Sequence, residues 1–243
     1  PTELKSLAIA FNDMLDRLES AVEKLSDFSS DLAHEIRTPI NNLMTQTQVC
    51  LSRSRDINTY QEVLFSNLEE FERLARMVSD MLFLAKAEHG LHLPNLQKID
   101  LVKEISALFD FYDAIASEKK MTLEQTGLGY VQGDPSMLRR ALSNLLSNAI
   151  KYGKTDSVSK INCKQSFDKT VFTIENESSP LSSDQLNRLF DRFYRTDASR
   201  QRVEEGTGLG LAITKSILDV HGATIQANYQ NGRIIFNIVF KSS

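Results

Sequence analysis

Residues 4–32 read LKSLAIAFNDMLDRLESAVEKLSDFSSDL, and the spacing of their apolar side chains decides the fold of the first third of the chain. Leu4, Phe11, Leu18, Leu25 and Leu32 recur every seventh residue. Leu7, Met14, Ala21 and Phe28 recur in a second register, three places on. An a/d repeat sustained over about four heptads is the pattern of a coiled coil. The next d position is Glu35, which breaks the seam, and apolar positions resume in a shifted stripe at Ile36, Ile40, Leu43 and Met44. A phase change of this kind locally alters a supercoil. Pro39 falls at the same place. It lacks the N–H that would bond the carbonyl of Glu35, which predicts a bend.

Outward from this run, a polar break at Arg53-Ser54-Arg55-Asp56 precedes a second helical spacing: Leu64, Leu68, Phe71, Leu74, Val78, Met81, Leu82 and Ala85. Glu69 with Arg73, and Glu72 with Arg76, are i,i+4 pairs in the favoured orientation. Between Thr2 and His89 the only proline is Pro39 and there is no glycine, as long helices require. Two helices joined by a short loop make an antiparallel hairpin. Such a hairpin cannot bury its own apolar stripe, so self-association into a four-helix bundle is expected. Gly90 to Leu96, with Pro94, reads as a hinge. Beyond it the pattern mixes helices with period-two strands. Ile161 and Cys163 alternate with Lys160, Asn162 and Lys164, Phe172 and Ile174 share one face, and Ile234, Phe236, Ile238 and Phe240 alternate through the last strand. One-faced strands belong to a sheet covered by helices on one side, and their irregular interleaving with helices favours α+β over a doubly wound sheet.

The 243 residues are 41% hydrophobic and 25% charged, which excludes long disorder and leaves ample chain for a core. No apolar run reaches the ~18 residues of a membrane helix. The 28 basic against 32 acidic residues give a net charge of −4, so nothing argues for direct nucleic-acid binding. Cys50 and Cys163 lie far apart and form no CxxC pair. They read as core residues in a reducing compartment. The chain opens on Pro1 without a basic n-region and apolar h-region, so the expectation is a fragment whose upstream part is missing.

Four constellations carry chemistry. His34 falls at position c of the heptad register set by Leu32, facing solvent where the heptad and the backbone ladder both break. A nucleophilic imidazole needs one ring nitrogen held as N–H so that the other presents a lone pair. Glu35 is placed to hold that proton, and Thr38, one turn on, to position a water. In Asn144-Leu-Leu-Ser-Asn148-Ala-Ile-Lys151-Tyr152, a helix gathers Asn144, Asn148, Lys151 and Tyr152 within about 100° of arc. Leu142, Leu145, Leu146 and Ala149 lie opposite. Amide oxygens suit Mg²⁺ on nucleotide phosphates, and lysine suits phosphate itself. Gly206-Thr207-Gly208-Leu209-Gly210 precedes an apolar helix start, a ready anion site, although it lacks both the P-loop ending and a preceding strand. By itself it is as readily a bare turn. In Leu189-Phe-Asp-Arg192-Phe-Tyr-Arg195, Arg195 is a candidate phosphate partner. The run holding Arg200, Arg202, Glu204 and Glu205 reads as solvated surface.

In this order the constellations resemble the cytoplasmic core of a sensor histidine kinase. His34 to Pro39 looks like the H box, Asn144 to Tyr152 the N box, Leu189 to Arg195 the F box and Gly206 to Gly210 the G2 box. Glu3 to Leu7 and Phe11 to Met14 look like the last helix of a HAMP module. The motifs are most similar to those of the heavy-metal-sensing group that includes copper and silver sensors, with a peroxide-responsive relative as the alternative. The resemblance implies residues 1–20 as a HAMP end, 21–90 as a dimerisation and phosphotransfer hairpin and 91–97 as a hinge. Residues 98–243 would then be an α/β-sandwich ATP-binding domain of the GHKL (Bergerat) type. It implies an ATP-dependent protein-histidine kinase in which His34 accepts the γ-phosphoryl group of ATP and Glu35 acts as base. Asn148, assisted by Asn144, would hold Mg²⁺, Lys151 would contact phosphate and Tyr152 would flank the nucleotide. Gly206, Thr207, Gly208, Leu209 and Gly210 would frame a lid, and Thr38 would orient water for phosphatase action. The implied partners are a second copy through residues 1–90 and a response regulator whose aspartate takes the phosphoryl group. The whole protein would be anchored in the inner membrane upstream of Pro1, with this chain on the cytoplasmic side.

One box departs from the pattern. Asn176 stands where an aspartate recognising the adenine amino group is usual, and Ser178 and Pro180 replace the two glycines that follow. An amide keeps the acceptor oxygen but loses the charge, so the bond falls from ~1.5–3 to ~0.5–1.5 kcal/mol. The expectation is weakened ATP binding and a stiffened lid end. The competing readings are another ATPase of the same nucleotide fold, which the hairpin with its exposed His-Glu-x-x-Thr disfavours, and a degenerate dimeric scaffold that binds no nucleotide.

Overall fold

The computed structural model describes residues 2–88, 94–196 and 206–241. They divide into two compact units, residues 1–77 and 78–243. The first holds α1 (Thr2–Leu51) and most of α2 (Ile57–Glu88). The polar break forms the connection. Asp56 accepts the N–H and hydroxyl of Thr59, both at 2.9 Å, which holds its carboxyl below the usual range and starts α2. Helix α1 continues through Pro39, which is buried. Two expectations need correction or restriction. Arg73 pairs with Glu70 at 3.3 Å rather than with Glu69, because i,i+3 and i,i+4 neighbours both lie within reach on a helix. The pair of Glu72 with Arg76 forms, at 3.7 Å. The side chains of Leu4, Leu7, Ala21 and Leu25 lie outside the described residues. The visible seam is exposed at Phe11 (55%), Met14 (55%) and Leu18 (59%).

The second unit begins inside α2. Its later elements are β1 (Gln97–Asp100), α3 (Leu101–Glu118), β2 (Thr122–Gly127), β3 (Tyr130–Gly133), α4 (Pro135–Tyr152), β4 (Val158–Gln165) and β5 (Lys169–Glu177). They are followed by α5 (Ser183–Arg188), α6 (Gly210–Val220), β6 (Thr224–Gln230) and β7 (Arg233–Lys241). Among the described residues, a five-stranded sheet runs β2-β4-β5-β7-β6, and β1 pairs with β3 apart from it. Only β2 against β4 is parallel; the other pairings are antiparallel. The alternation read from sequence is the register: Ile161 faces Ile174, Cys163 faces Phe172, and Phe172 faces Ile238. All five are at most 1% exposed. Helices α3, α4 and α6 cover this face with Leu101, Ile105, Leu142, Leu145, Leu146, Ile213 and Ile217. The unit is therefore an α/β sandwich with a mixed sheet. Cys50 and Cys163 are buried free thiols, and burial pushes the Cys163 thiol up to about 11, with the Asp100 carboxylate adding to the shift.

Two tethers hold α4 at its start. Asp134 caps it, accepting the N–H groups of Ser136 and Met137 at 3.0 and 3.1 Å, and the other carboxylate oxygen takes the N–H of Asn95 at 3.1 Å. Asn95, in the segment read as a hinge, is thus pinned to α4, while residues 89–93 lie outside the described residues. Asp134 also donates its own N–H to Nε2 of His221 at 2.9 Å, while Nδ1 of His221 lies 2.7 Å from the carbonyl of Ile217. A ring that accepts at Nε2 and donates at Nδ1 is the neutral tautomer, and it joins the start of α4 to the end of α6. Within the same unit, Arg140 of α4 pairs with Asp80 and lies 4.6 Å over the ring of Phe83.

Candidate functional site

His34 is exposed on α1, with Glu35 half-buried beside it and Thr38 exposed one turn on. The Thr38 hydroxyl donates to the His34 carbonyl at 3.3 Å. This back-bond lies beside the helical bond that Pro39 cannot make, since Pro39 offers no N–H to Glu35. His34 therefore sits where the ladder is thinned but unbroken, with its imidazole turned to solvent.

The second assembly is in the α/β sandwich. The leucine face of α4 is buried (Leu142 4%, Leu145 1%, Leu146 0%), which turns the amide face away from the core. Asn144 donates from Nδ2 to the Gly210 carbonyl at 3.0 Å. That bond assigns the amide orientation and leaves Oδ1 as the acceptor. Asn148 stands one turn further on the same face, half-buried, and Tyr152 is 37% exposed at the helix end.

Gly206 and Gly208 both have left-handed backbone, φ +70° and +72°. A side chain at Gly208 would strike the backbone of Phe193 at 2.7 Å, so the phenylalanine-rich segment supports the glycine turn directly. A Cβ at Gly206 would lie 3.7 Å from Nζ of Lys151. The turn thus closes against the amide face of α4 at two points, Gly206 beside Lys151 and Gly210 beside Asn144. Leu209 is fully buried beneath it, and its N–H lies 3.4 Å from the Thr207 hydroxyl. Helix α6 begins at Gly210 with no side-chain cap among the described residues. Its first N–H groups and macrodipole then favour an anion. Arg195 is half-buried at the end of its segment. Arg200, Arg202, Glu204 and Glu205 lie outside the described residues.

Asn176 is 1% exposed and lies in register on the buried face with Phe172 and Ile174. Its Nδ2 donates to the Glu177 carbonyl at 3.2 Å, which leaves Oδ1 as the acceptor. The N–H of Lys154 reaches that same carbonyl at 3.0 Å. Ser178 is pinned rather than loose. Its N–H bonds the Gly232 carbonyl at 3.1 Å, and its carbonyl accepts the Tyr229 hydroxyl at 3.3 Å. Sequence reasoning missed Lys154, Glu177 and Lys119, whose ammonium meets the end of α4. Nothing in their local sequence separates them from surface charges. Two amide oxygens, one ammonium and an uncapped helix start have the chemistry to take a phosphate-bearing ligand with a hard divalent cation.

Comparison with known proteins places both segments in described families. Residues 24–90 match the family described as the His Kinase A (phospho-acceptor) domain. Residues 133–242 match the histidine kinase-, DNA gyrase B- and HSP90-like ATPase family. The probable sensor protein PcoS of Escherichia coli is 49% identical over 98% of this chain and 51% of its own length. Sensor histidine kinase CusS of Escherichia coli K12 is 48% identical over 93% of this chain and 47% of its own length. The chain thus spans about half the length of the curated relatives it matches. Histidine kinase ThkA, solved in complex with response regulator protein TrrA, superposes with a TM-score of 0.74 at 19% identity, covering 93% of this chain and 64% of that one.

Proposed function

The chain belongs to the sensor histidine kinases, and on that premise we propose that it phosphorylates His34 from Mg-ATP and passes the phosphoryl group to an aspartate of a response regulator. The observation that carries this reading is the closure of Gly206–Gly210 on Asn144 and Lys151, in a chain that also presents an exposed His34 on a phospho-acceptor helix.

Asn144 and Asn148 hold Mg²⁺ through their amide oxygens, Lys151 contacts phosphate, and Tyr152 flanks the nucleoside. Bound Mg²⁺ supplies neutralisation of phosphate charge. Asn176 accepts from the base amino group through Oδ1, and Arg195 and the start of α6 add positive charge beside the phosphates. At His34 the free ring nitrogen bonds the γ-phosphorus while the bond from that phosphorus to the bridging oxygen breaks. The proton on the other nitrogen passes to Glu35, and ADP leaves with the bond's electrons. There is little covalent chemistry for the protein to do beyond positioning and charge neutralisation. In a separate hydrolytic reaction, Thr38 directs water at the regulator's phosphoaspartate, which releases inorganic phosphate and the free aspartate.

A second copy completes the hairpin. Leu64 (66%), Leu68 (54%), Phe71 (57%), Val78 (47%) and Leu82 (58%) form an exposed stripe along α2. Burying each such side chain is worth roughly 1.5–3 kcal/mol, which favours a four-helix bundle built through residues 1–90. No helix among the described residues is long and apolar enough to cross a membrane. The chain spans about half of its relatives' length, and it is read as the cytoplasmic part of an inner-membrane sensor protein. Within the family it is read as a member of the heavy-metal-sensing group its motifs resemble.

Incubation with γ-labelled ATP and Mg²⁺ tests the reading. The expected result is an acid-labile, base-stable label on the unaltered chain and none on His34→Gln. Nucleotide binding without label would sink the phosphoacceptor assignment. Absence of binding would favour a dimeric scaffold.

A further inference from the structure

The last carbonyls of a helix have no donor within it. At the end of α4, the Ala149 carbonyl takes the N–H of Gly153 at 2.9 Å. The next two carbonyls are satisfied from another helix. Nζ of Lys119 donates to the carbonyl of Ile150 at 3.0 Å and to that of Lys151 at 2.6 Å. Lys119 is half-buried at the C-terminal cap of α3, and its own carbonyl accepts the N–H of Asp156 at 3.3 Å. One residue is thus tied at both ends to the chain around the exit of α4. An ammonium has three donors and suits the negative end of a helix dipole, so it can satisfy two carbonyls at once.

The location matters more than the added stability. The carbonyls of Ile150 and Lys151 flank the residue whose Nζ lies 3.7 Å from the position a Gly206 Cβ would take. On the far side, the N–H of Lys154 bonds the Glu177 carbonyl at 3.0 Å, the acceptor that also holds the Asn176 amide. The exit of α4 is therefore fixed from two directions, by Lys119 from α3 and by Glu177 from β5. The first of these bonds the carbonyl of Lys151 itself and so sets the backbone from which its ammonium projects.

We infer that Lys119 is a positioning residue of the nucleotide site. It holds the last turn of α4 so that Lys151 meets the phosphates, and it acts through Lys151 without touching the ligand itself. The inference rests on the nucleotide-binding reading given above. A purely structural role would lower stability and leave the relative affinities for phosphorylated and unphosphorylated ligands alone. A positioning role moves that ratio.

The test measures dissociation constants for Mg-ATP and for adenosine by NMR titration, with thermal unfolding of each nucleotide-free variant. For Lys119→Met, Mg-ATP binding is expected to weaken about 5- to 10-fold while adenosine binding changes less than about twofold. Lys119→Arg, which keeps the cation, should hold both affinities within about twofold of the original chain. Adding Lys119→Met to Lys151→Met should cost little more than Lys151→Met alone, because the two act in series. If Lys119→Met does not fold, Lys119→Gln, whose amide donates to one carbonyl, carries the same comparison. Unchanged Mg-ATP affinity, or equal losses for Mg-ATP and adenosine, would overturn the inference and leave nucleotide binding standing. An unaltered chain that binds neither ligand would overturn the kinase reading and the inference with it.

Discussion

At the scale of single residues, Asn176 shows how one substitution changes two quantities in opposite directions. Its Nδ2 donates to the Glu177 carbonyl, a bond that an aspartate cannot make. Its Oδ1 is a neutral acceptor for the base. Asn176→Asp should tighten Mg-ATP binding by roughly five-fold, the difference between a charge-assisted and a neutral bond. The same change places a carboxylate at a position 1% exposed, against a carbonyl. Nucleotide-free stability should therefore fall by about 1–3 kcal/mol. Calorimetric titration beside thermal unfolding checks both. Tighter binding without loss of stability would show that the bond to Glu177 contributes little. The acceptor oxygen of Asn176 was legible from its register with Phe172 and Ile174. Its bond to Glu177 was not, since a contact with the neighbouring backbone depends on a rotamer that spacing does not reveal.

Among the elements, α4 is the one on which the candidate site depends, and its start is as constrained as its end. Hydrogen bonds, first from Ser136 and then from the Met137 N–H, hold the Asp134 carboxyl at about 2. The folded value lies below the ordinary 3.8, so the cap's stabilisation is fully present above about pH 4. It is lost as pH falls toward 2, where the carboxylate protonates even in the folded protein. Asp134→Asn should flatten the pH dependence of unfolding in that window. Asp134→Ala should cost ~0.5–2 kcal/mol at neutral pH. Chemical denaturation at pH 2.5, 4 and 7 reads both effects. An unchanged acid slope in Asp134→Asn would remove Asp134 from the account. The sequence marks this helix start through Asp134-Pro135, a cap followed by proline at the first turn. It does not show that the cap also takes Asn95 and leans on His221, residues 39 and 87 positions away.

For the molecule as a whole, the exposed stripe of α2 is the chief unsatisfied demand. Five large apolar side chains at helical spacing stay in water in a single chain. Leu68→Asp with Phe71→Asp would place two carboxylates on that stripe, where burial is costly. The double variant should sediment as a monomer and keep its nucleotide affinity, since the α/β unit carries its own core. A variant that stays dimeric would move the interface off this stripe.

Several features were set by local sequence alone. The heptad run, the polar break at Arg53–Asp56, the one-faced strands and the grouping of Asn144, Asn148, Lys151 and Tyr152 follow from periods of 3.5, 3.6 and 2, which are properties of a short stretch of backbone. The four boxes carry the family for the same reason, because each is a contiguous run whose chemistry is complete in its own residues. Tertiary structure decided what periodicity cannot encode. Arg73 turned to Glu70 because two carboxylates lie within reach on one face and side-chain packing chooses between them. Phe193 met Gly208, and Lys119 met the end of α4, because the sheet order β2-β4-β5-β7-β6 brings distant segments together. Such contacts depend on the global path of the chain, and a lysine that caps another helix looks, residue by residue, like any lysine on a surface.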